Sequence, residues 1–157
     1  MKYIVITVSD TSSFDAKKDL SGPEIIKFMG KENILLGKEI ISDDVDKIIF
    51  TLNKWLEVEE LDLILTTGGT GIGPRDVTPE ATKEVIDYEI PGISELMRVK
   101  NYLNSDYVSL SRAVAGVKSE KLIINLPGSI KAVQENLKII YPLLNHAIEL
   151  INGNTKH

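Results

Sequence analysis

The sequence has no cysteine and only two histidines, and both shortages narrow the chemistry open to the chain. Without cysteine, disulfides and thiolate metal sites are excluded, and a reducing compartment such as the cytoplasm is the expected setting. His146 falls inside a predicted helix and His157 is the last residue, so neither lies near a candidate loop. Nucleophilic or general-base chemistry that depends on histidine is therefore not expected.

Basic charge and long apolar runs are also scarce. The net charge of −5 at pH 7 gives no basic field to attract nucleic acid. No window approaches the roughly 20 apolar residues of a membrane span, and the short N-terminal apolar run fits a strand better than a signal peptide. The 157 residues predict one domain, covering residues 1–157. We expect a soluble cytoplasmic protein with neither a membrane nor a nucleic acid as its partner.

Apolar, β-branched runs alternate with helical patterns along the chain. Strands are predicted at Tyr3–Ser9, Asn33–Ile41, Leu61–Thr67 and Lys121–Leu126. Helices are predicted between them, and Pro142 predicts a kink in the last helix. The segment Asp10–Gly22 is predicted to be a polar loop. This alternation implies an α/β fold with a mainly parallel central sheet.

The stretch LILTTGGTGIGPRDVTPEA, residues 63–81, concentrates glycine directly after a predicted strand. Four glycines stand within six residues, namely Gly68, Gly69, Gly71 and Gly73. Ligands of parallel sheets bind beyond the carboxyl ends of strands, and successive amides of a glycine loop can form a concave anion site. A helix capped by Thr78, with Pro79 in its first turn, would add its positive end. We predict a ligand-binding loop, with a tight structural turn as the alternative.

Asp76 follows these glycines and points to a metal. A carboxylate beside a bound phosphate is repulsive unless a cation lies between them, and Mg²⁺ is typically held by one or two carboxylates plus phosphates. Asp43 follows the second strand and could converge with Asp76 on one ion, if both strands end at the same edge. The alternatives are a helix cap for Asp43 and an ion pair with Arg75 for Asp76.

Arginine is rare, and a second glycine segment repeats the first pattern. Only Arg75, Arg98 and Arg112 are arginine among the 18 basic residues. A planar guanidinium suits phosphate, so Arg75 or Arg112 is a candidate phosphate contact, with chance usage as the alternative.

The segment INLPGS, residues 124–129, could form a second wall of the pocket or an ordinary turn. Phosphoryl or nucleotidyl transfer with Mg²⁺ fits these residues best, because it needs positioning and charge neutralisation.

These motifs resemble the molybdenum cofactor biosynthesis proteins of the MoaB/MogA type. The resemblance rests on TTGGTGIGPRDVTPEAT at 66–82 and INLPGSIKAVQENL at 124–137, with VSD, DLSG, SDD, PGISELMR and LSRAVAGV elsewhere. It covers nearly the whole chain; RAVAGV is closer to the MoaB branch and RDVTPEAT to the MogA branch. It implies a three-layer α/β fold, a homotrimer or homohexamer, and adenylylation of molybdopterin by Mg-ATP with release of pyrophosphate. It further implies hand-over of the product to a molybdate-inserting enzyme.

The resemblance also assigns residues. It makes Asp43 and Asp76 the catalytic carboxylates and Mg²⁺ ligands, with ATP as co-substrate. The remaining substrate-binding positions are Gly68, Gly69, Thr70, Gly71, Arg75, Ser111, Arg112, Asn125, Pro127, Gly128 and Ser129, with Ser111 and Asn125 on the pterin side. The Arg75–Asp76 pair favours activity, because some MoaB members that lack it are inactive. A non-catalytic pterin or nucleotide carrier, a hydrolase of a nucleotide derivative and a scaffold module are the alternatives.

Overall fold

The computed structural model describes residues 1–103 and 105–154, and a six-stranded sheet forms its centre. The strands are β1 (Lys2–Val8), β2 (Ile34–Ile41), β3 (Leu63–Thr67), β4 (Tyr88–Glu89), β5 (Ala115–Lys118) and β6 (Lys121–Leu126). Their order is β2-β1-β3-β6-β5-β4. The first four in this order run parallel, whereas β5 is antiparallel to both β6 and β4. The predicted mainly parallel sheet is confirmed.

Helices cover both faces of the sheet. They are α1 (Asp10–Phe14), α2 (Ser21–Met29), α3 (Val45–Leu56), α4 (Thr78–Val85), α5 (Pro91–Asn101) and α6 (Ile130–Ile151), with short 3₁₀ helices at Ala16–Lys18 and Asp106–Leu110. One apolar core lies between the sheet and α2, α5 and α6, and the other between the sheet and α3 and α4. Tyr3 and Val5 of β1 enter the first core, whereas Ile4 and Ile6 enter the second. Burial on both faces explains the unbroken apolar strands of the sequence.

The segment between β1 and α2 differs from the prediction of a polar loop. It contains α1 and a 3₁₀ helix, each begun by a polar side chain. The Ser9 side chain accepts a hydrogen bond from the Ser12 N–H, and the Asp15 side chain accepts one from the Lys17 N–H. The prediction was wrong because such local caps support short helices without any apolar periodicity.

The helix cap predicted at Thr78 was wrong, and so was the alternative role of Asp43 as a helix cap. Thr78 lies inside α4, and its hydroxyl donates a hydrogen bond to the Gly68 carbonyl at 2.9 Å instead of capping the helix. Asp43 does not cap α3, because the Asp44 side chain accepts the hydrogen bond from the Lys47 N–H. A side chain that could cap its own helix can serve a tertiary contact instead, and sequence position does not separate the two.

The last helix, α6, contains Pro142 and continues from Ile130 to Ile151, so the helix is confirmed and the kink stays a prediction. His146 lies on α6 far along the chain from the glycine loop, whereas His157 lies outside the described residues. Among the described residues, no helix combines the length and apolar character that crossing a bilayer requires.

Candidate active site

The carboxyl ends of β1, β3 and β6 bring three loops side by side. Thr7 of β1 pairs with Thr67 of β3, which pairs in turn with Leu126 of β6. The Gly68 N–H donates to the Leu126 carbonyl at 3.1 Å, and the Thr67 hydroxyl donates to the Pro127 carbonyl at 2.8 Å. The glycine loop, residues 68–77, therefore lies directly beside the second loop, residues 127–129, as the repeated strand–glycine pattern predicted.

The backbone of the glycine loop requires glycine and exposes donors. Gly68 and Gly69 have φ angles of 99° and 62°, and a Cβ at Gly68 would lie 2.2 Å from the Val8 carbonyl oxygen. Among the described residues, no acceptor binds the N–H groups of Gly69, Thr70 or Gly71. Three successive amides are therefore available to an external anion, which is the arrangement expected of an anion-binding loop.

Arg112 holds the other side of this loop. Its backbone N–H donates to the Thr70 carbonyl at 2.8 Å, and its Nε donates to the Gly71 carbonyl at 2.6 Å. The guanidinium also donates to the Asp76 carbonyl and forms an ion pair with Glu80. Because the guanidinium is engaged with carbonyls and Glu80, Arg112 positions the loop in this structure and does not present a free phosphate contact.

Asp10 connects the loops after β1, β2 and β3. Its N–H donates to Asp43 Oδ2 at 2.7 Å, and its Oδ1 accepts the Asp43 N–H at 3.1 Å. Arg75 donates to both carboxylate oxygens of Asp10 at 3.0 Å, so the alternative pairing of Arg75 with Asp76 was wrong. Asp10 is not among the site residues predicted from the sequence. The rule that ligand groups follow strand ends, applied to β1, would have found it.

Asp43 and Asp76 border the same part of the glycine loop. A Cβ at Gly69 would lie 3.1 Å from Asp43 Oδ1, and one at Gly71 would lie 2.8 Å from Asp76 Oδ2. Burial is the main cause of a raised pKa for Asp43, and the negative charges of Asp10 and Asp76 raise this pKa further. Asp76 Oδ2 accepts the Gly73 N–H at 2.7 Å, which fixes the carboxylate against the loop. Asp43 therefore lies in the electrostatic field of Asp76 on the other side of the loop.

This pair of carboxylates fits a hard divalent cation. Within the described part of the chain, no three His, Asp or Glu side chains group closely enough to hold a metal by themselves. A site with two carboxylates that is completed by phosphate oxygens is typical of Mg²⁺. Asp43 Oδ1 accepts no hydrogen bond from any described residue, so this oxygen is available as a ligand. A cation there would offset the repulsion that raises the Asp43 pKa.

Two cavities meet at the glycine loop. The polar cavity, of about 550 Å³, is lined by hydroxyl and acidic side chains and by loop glycines, including Ser9, Asp19, Asp43, Gly68, Gly69 and Gly128. The α5–α6 cavity, of about 360 Å³, is lined by Thr70, Gly71, Met97, Ser111 and Pro127, among others. Ser129 lines both cavities. The glycine loop and Ser129 therefore form a ridge over which two ligands could meet.

Asn125 occupies a different place from the one expected of a pterin contact. Its side chain is fully buried, and its Nδ2 donates to Thr66 Oγ1 and Thr82 Oγ1, each at 2.9 Å. Its Oδ1 accepts the Val114 N–H at 3.1 Å. Because the polar atoms of its side chain are used inside the protein, Asn125 joins β6 to β3 and α4 and does not present a ligand contact.

The fold and the site together define a class of protein. An open, mainly parallel α/β sheet with an anion-binding loop at its carboxyl edge is typical of nucleotide- and cofactor-binding proteins. Residues 4–146 match the family described as "Probable molybdopterin binding domain", and the chain belongs to this family. The resemblance stated from the motifs is thereby confirmed.

Relatives and solved structures agree with this assignment. The chain is 39% identical to "Molybdopterin adenylyltransferase" of Helicobacter pylori, over 96% of this chain and 87% of that protein. It is 44% identical to "Molybdenum cofactor synthesis protein cinnamon" of Drosophila melanogaster over 96% of its own length, but it spans only 25% of that relative. A crystal structure of the molybdopterin biosynthesis enzyme MoaB from Thermus thermophilus matches with a TM-score of 0.90 and 40% identity, covering 97% of this chain and 96% of that one.

Proposed function

We propose that this protein adenylylates molybdopterin, using Mg-ATP and releasing pyrophosphate, and that residues 1–157 act as one unit in this reaction. The observation that carries the proposal is the unpaired amide run Gly69–Gly71, which lies between two carboxylates at the junction of two cavities. A transfer between two bound ligands needs such a junction. The enzymatic name of the Helicobacter pylori relative supports the same reaction.

The glycine loop would hold the phosphate that is transferred. An oxygen of the molybdopterin phosphate forms a bond to the α-phosphorus of ATP, while the bond from that phosphorus to the pyrophosphate oxygen breaks. The attacking phosphate is already an anion, so the step needs no strong base, in keeping with the scarcity of histidine. The rate gain then comes from positioning of the two ligands and from the amide dipoles aimed at the developing charge.

Asp43 and Asp76 would hold the metal in this reaction. When bound, Mg²⁺ supplies charge neutralisation for the phosphates of ATP. Asp10 keeps the Asp43 carboxylate in place through their two reciprocal hydrogen bonds. Arg75, held by Asp10, lies close enough to influence Asp43 and adds positive charge at the rim of the site.

The substitution Asp76→Asn tests the catalytic part of this proposal. We expect pyrophosphate release to depend on ATP, Mg²⁺ and molybdopterin together, and to fall about 100-fold or more in the variant, because charge stabilisation is lost. Asp87→Asn is the matched control. Like Asp76, Asp87 accepts a hydrogen bond from a backbone N–H, but it pairs with Lys118 at an exposed position. No release at all would favour the carrier alternative, whereas release by wild type that does not require molybdopterin would favour the hydrolase alternative.

Assembly and location are further parts of the proposal. Large apolar side chains such as Phe14, Phe50, Leu103 and Tyr107 are more than two thirds exposed in the single chain, at 92%, 72%, 92% and 82%. Their exposure fits the homotrimer or homohexamer implied by the family resemblance. A hand-over of the product to a molybdate-inserting enzyme and a cytoplasmic location stay predictions from the sequence.

A further inference from the structure

The α5–α6 cavity contains a carboxylate that has no part in the chemistry proposed above. Its walls are largely apolar, with Met97, Val108, Leu110 and Ala113 among the lining residues. Among the described residues that line this cavity, Glu135 is the one acidic side chain. A carboxylate beside an apolar wall loses part of its hydration, and this loss is costly unless a hydrogen-bond donor replaces the water. The position of Glu135 therefore favours a ligand that carries hydrogen-bond donors.

The partner that the protein itself provides for Glu135 is weak. Lys131 Nζ lies 3.9 Å from Glu135 Oε1, one turn away on α6, and the lysine side chain is 78% exposed. Such a pair contributes little, because solvent screens it and the lysine side chain is free to move. No donor among the described residues forms a hydrogen bond to the Glu135 carboxylate. Both oxygens are therefore available to a ligand.

The wall around Glu135 is otherwise fixed. Asn101 Nδ2 donates to Asn136 Oδ1 at 2.9 Å, joining α5 to α6 inside the protein. Asn136 Nδ2 in turn donates to the Ala132 carbonyl at 2.8 Å. On the α5 wall, the hydroxyl of Ser94 is buried and has no partner among the described residues. A rigid apolar slot with a few unsatisfied polar groups is the usual form of a small-molecule site.

We propose that Glu135 determines the ligand of the α5–α6 cavity by binding the 2-amino-4-oxo edge of a pterin ring through two parallel hydrogen bonds. This inference rests on the proposed use of molybdopterin as a substrate. The pterin edge presents two donors side by side, the ring N3–H and the 2-amino group, and an ionised carboxylate presents two acceptors.

The same carboxylate rejects adenine from this cavity. The adenine edge presents an amino donor beside a ring nitrogen that accepts, so one oxygen of Glu135 would face another acceptor. A site built to pair with a ligand discriminates strongly against an analogue that leaves its polar groups unpaired. Glu135 thereby assigns the pterin to the α5–α6 cavity and leaves the polar cavity to the nucleotide.

The dimensions of the cavity agree with this assignment. Ser129 and Glu135 are separated by six positions along the start of α6, which corresponds to about 9 Å of helix rise. Thr70, Gly71 and Ser129 line the end of the cavity at the ridge, where the phosphate would react. A fused ring with a phosphate-bearing side chain has the length to join Glu135 to that ridge.

The test compares two fluorescent ligands in wild type and in Glu135→Gln. The ligands are 6-hydroxymethylpterin phosphate and 6-hydroxymethyllumazine phosphate, which has a carbonyl where the pterin has the 2-amino group. We expect wild type to bind the pterin at least about 10-fold more tightly, since a hydrogen bond to a charged group contributes roughly 1.5–3 kcal/mol. In Glu135→Gln the preference should disappear or reverse, because the new amide donates to the lumazine carbonyl.

The matched control is Glu149→Gln. Glu149 lies on the same helix, α6, where its side chain is exposed, and it lies outside the lining of the cavity. This variant should keep the wild-type preference, and thermal melting checks that both variants are folded. The inference is overturned if wild type binds neither ligand, if it binds both equally, or if Glu135→Gln retains the preference for pterin.

Titration without ATP separates this inference from the proposed function. A pterin preference that depends on Glu135, in a protein that releases no pyrophosphate, leaves the cavity assignment standing and removes the enzymatic proposal. The converse result is pyrophosphate release that depends on molybdopterin, with the same KM for molybdopterin in Glu135→Gln as in wild type. That result keeps the enzymatic proposal and removes the role of Glu135.

Discussion

Asp43 is half-buried and lies in the field of two other carboxylates, Asp10 and Asp76. Burial and these charges raise its pKa above the ordinary value of 3.8. Because folding disfavours the ionised form, the protonated carboxyl contributes stability fully below about pH 3.8, and this contribution is lost as pH rises through the raised pKa. At neutral pH the ionised Asp43 is therefore a cost to the folded chain, as expected of a group kept for function.

Asp43→Asn is predicted to stabilise the protein at pH 7 while removing activity. We expect a gain on the order of 0.5 kcal/mol in the free energy of unfolding, kept small by solvent screening, because the amide carries no charge. The gain should vanish below about pH 3.8, where wild-type Asp43 is protonated. Urea denaturation at the two pH values measures it.

The control for Asp43→Asn is Asp87→Asn, because the pKa of Asp87 is lowered whereas that of Asp43 is raised. The hydrogen bond and charge of Lys118 lower the pKa of Asp87, so Asp87→Asn should not stabilise the protein at neutral pH. A decrease in stability at pH 7 for Asp43→Asn, or an equal increase in both variants, would contradict the account of Asp43.

At the residue scale, the sequence identified Arg75 and Arg112 as candidate phosphate contacts, but it did not identify the residues that they bind. Arg75 binds Asp10, 65 positions earlier, and Arg112 binds the Gly71 carbonyl, 41 positions earlier. Their rarity suggested phosphate contacts, yet the structure engages both with protein groups. Residue type gives the chemistry that a side chain can perform, whereas the partner depends on which distant segment the fold brings near.

The glycine loop shows how an element is set by its neighbours. Gly68 has a φ of 99°, and the Val8 carbonyl of β1 leaves no room for a Cβ there. Gly92, by contrast, lies in α5, and a Cβ added to it would meet nothing within 4 Å. Two glycines of one chain therefore differ in what they do for the structure.

Gly68→Ala is predicted to destabilise the protein by about 1–3 kcal/mol, because alanine strains this backbone conformation and meets the Val8 carbonyl. Gly92→Ala should instead stabilise it by up to roughly 0.5–1 kcal/mol, since alanine loses less backbone freedom in a helix. Chemical denaturation compares the two. Equal effects would show that the loop tolerates a side chain and is not shaped as described.

The four parallel strands of the core were predicted to within two residues at each end. The β6 bounds, Lys121–Leu126, match the prediction, because a strand buried on both faces forms a nearly continuous apolar run, here residues 122–124 with Leu126. The helix α1 was missed, since hydrogen bonds of Ser9 and Asp15 define its ends and no apolar face marks it. Caps are therefore a weaker sequence signal than burial.

For the whole molecule, ligand binding at the ridge should stabilise the fold. Mg-ATP at about 100 times its Kd should add about 2.7 kcal/mol, which is roughly 5–10 °C in Tm for a chain of this size. Asp76→Asn should show a much smaller rise in Tm, because the Mg²⁺ that accompanies ATP then has one protein ligand fewer. Differential scanning fluorimetry, with and without EDTA, measures this effect without relying on turnover.

Asp87→Asn again serves as the control and should respond to Mg-ATP as wild type does. The same rise in Tm for Asp76→Asn as for wild type, or a rise that EDTA leaves unchanged, would remove the proposed metal role of Asp76.

The sequence by itself determined the alternation of strands and helices, the glycine loop after β3 and the acidic residues after β2 and β3, because these are properties of neighbouring residues. Only the tertiary structure decided that Asp10 holds both Asp43 and Arg75, that Arg112 binds loop carbonyls, and that Asn125 is buried. It also decided that two cavities share Ser129. The reason is physical, since hydrogen bonds and cavities depend on distances in space between segments that are remote along the chain.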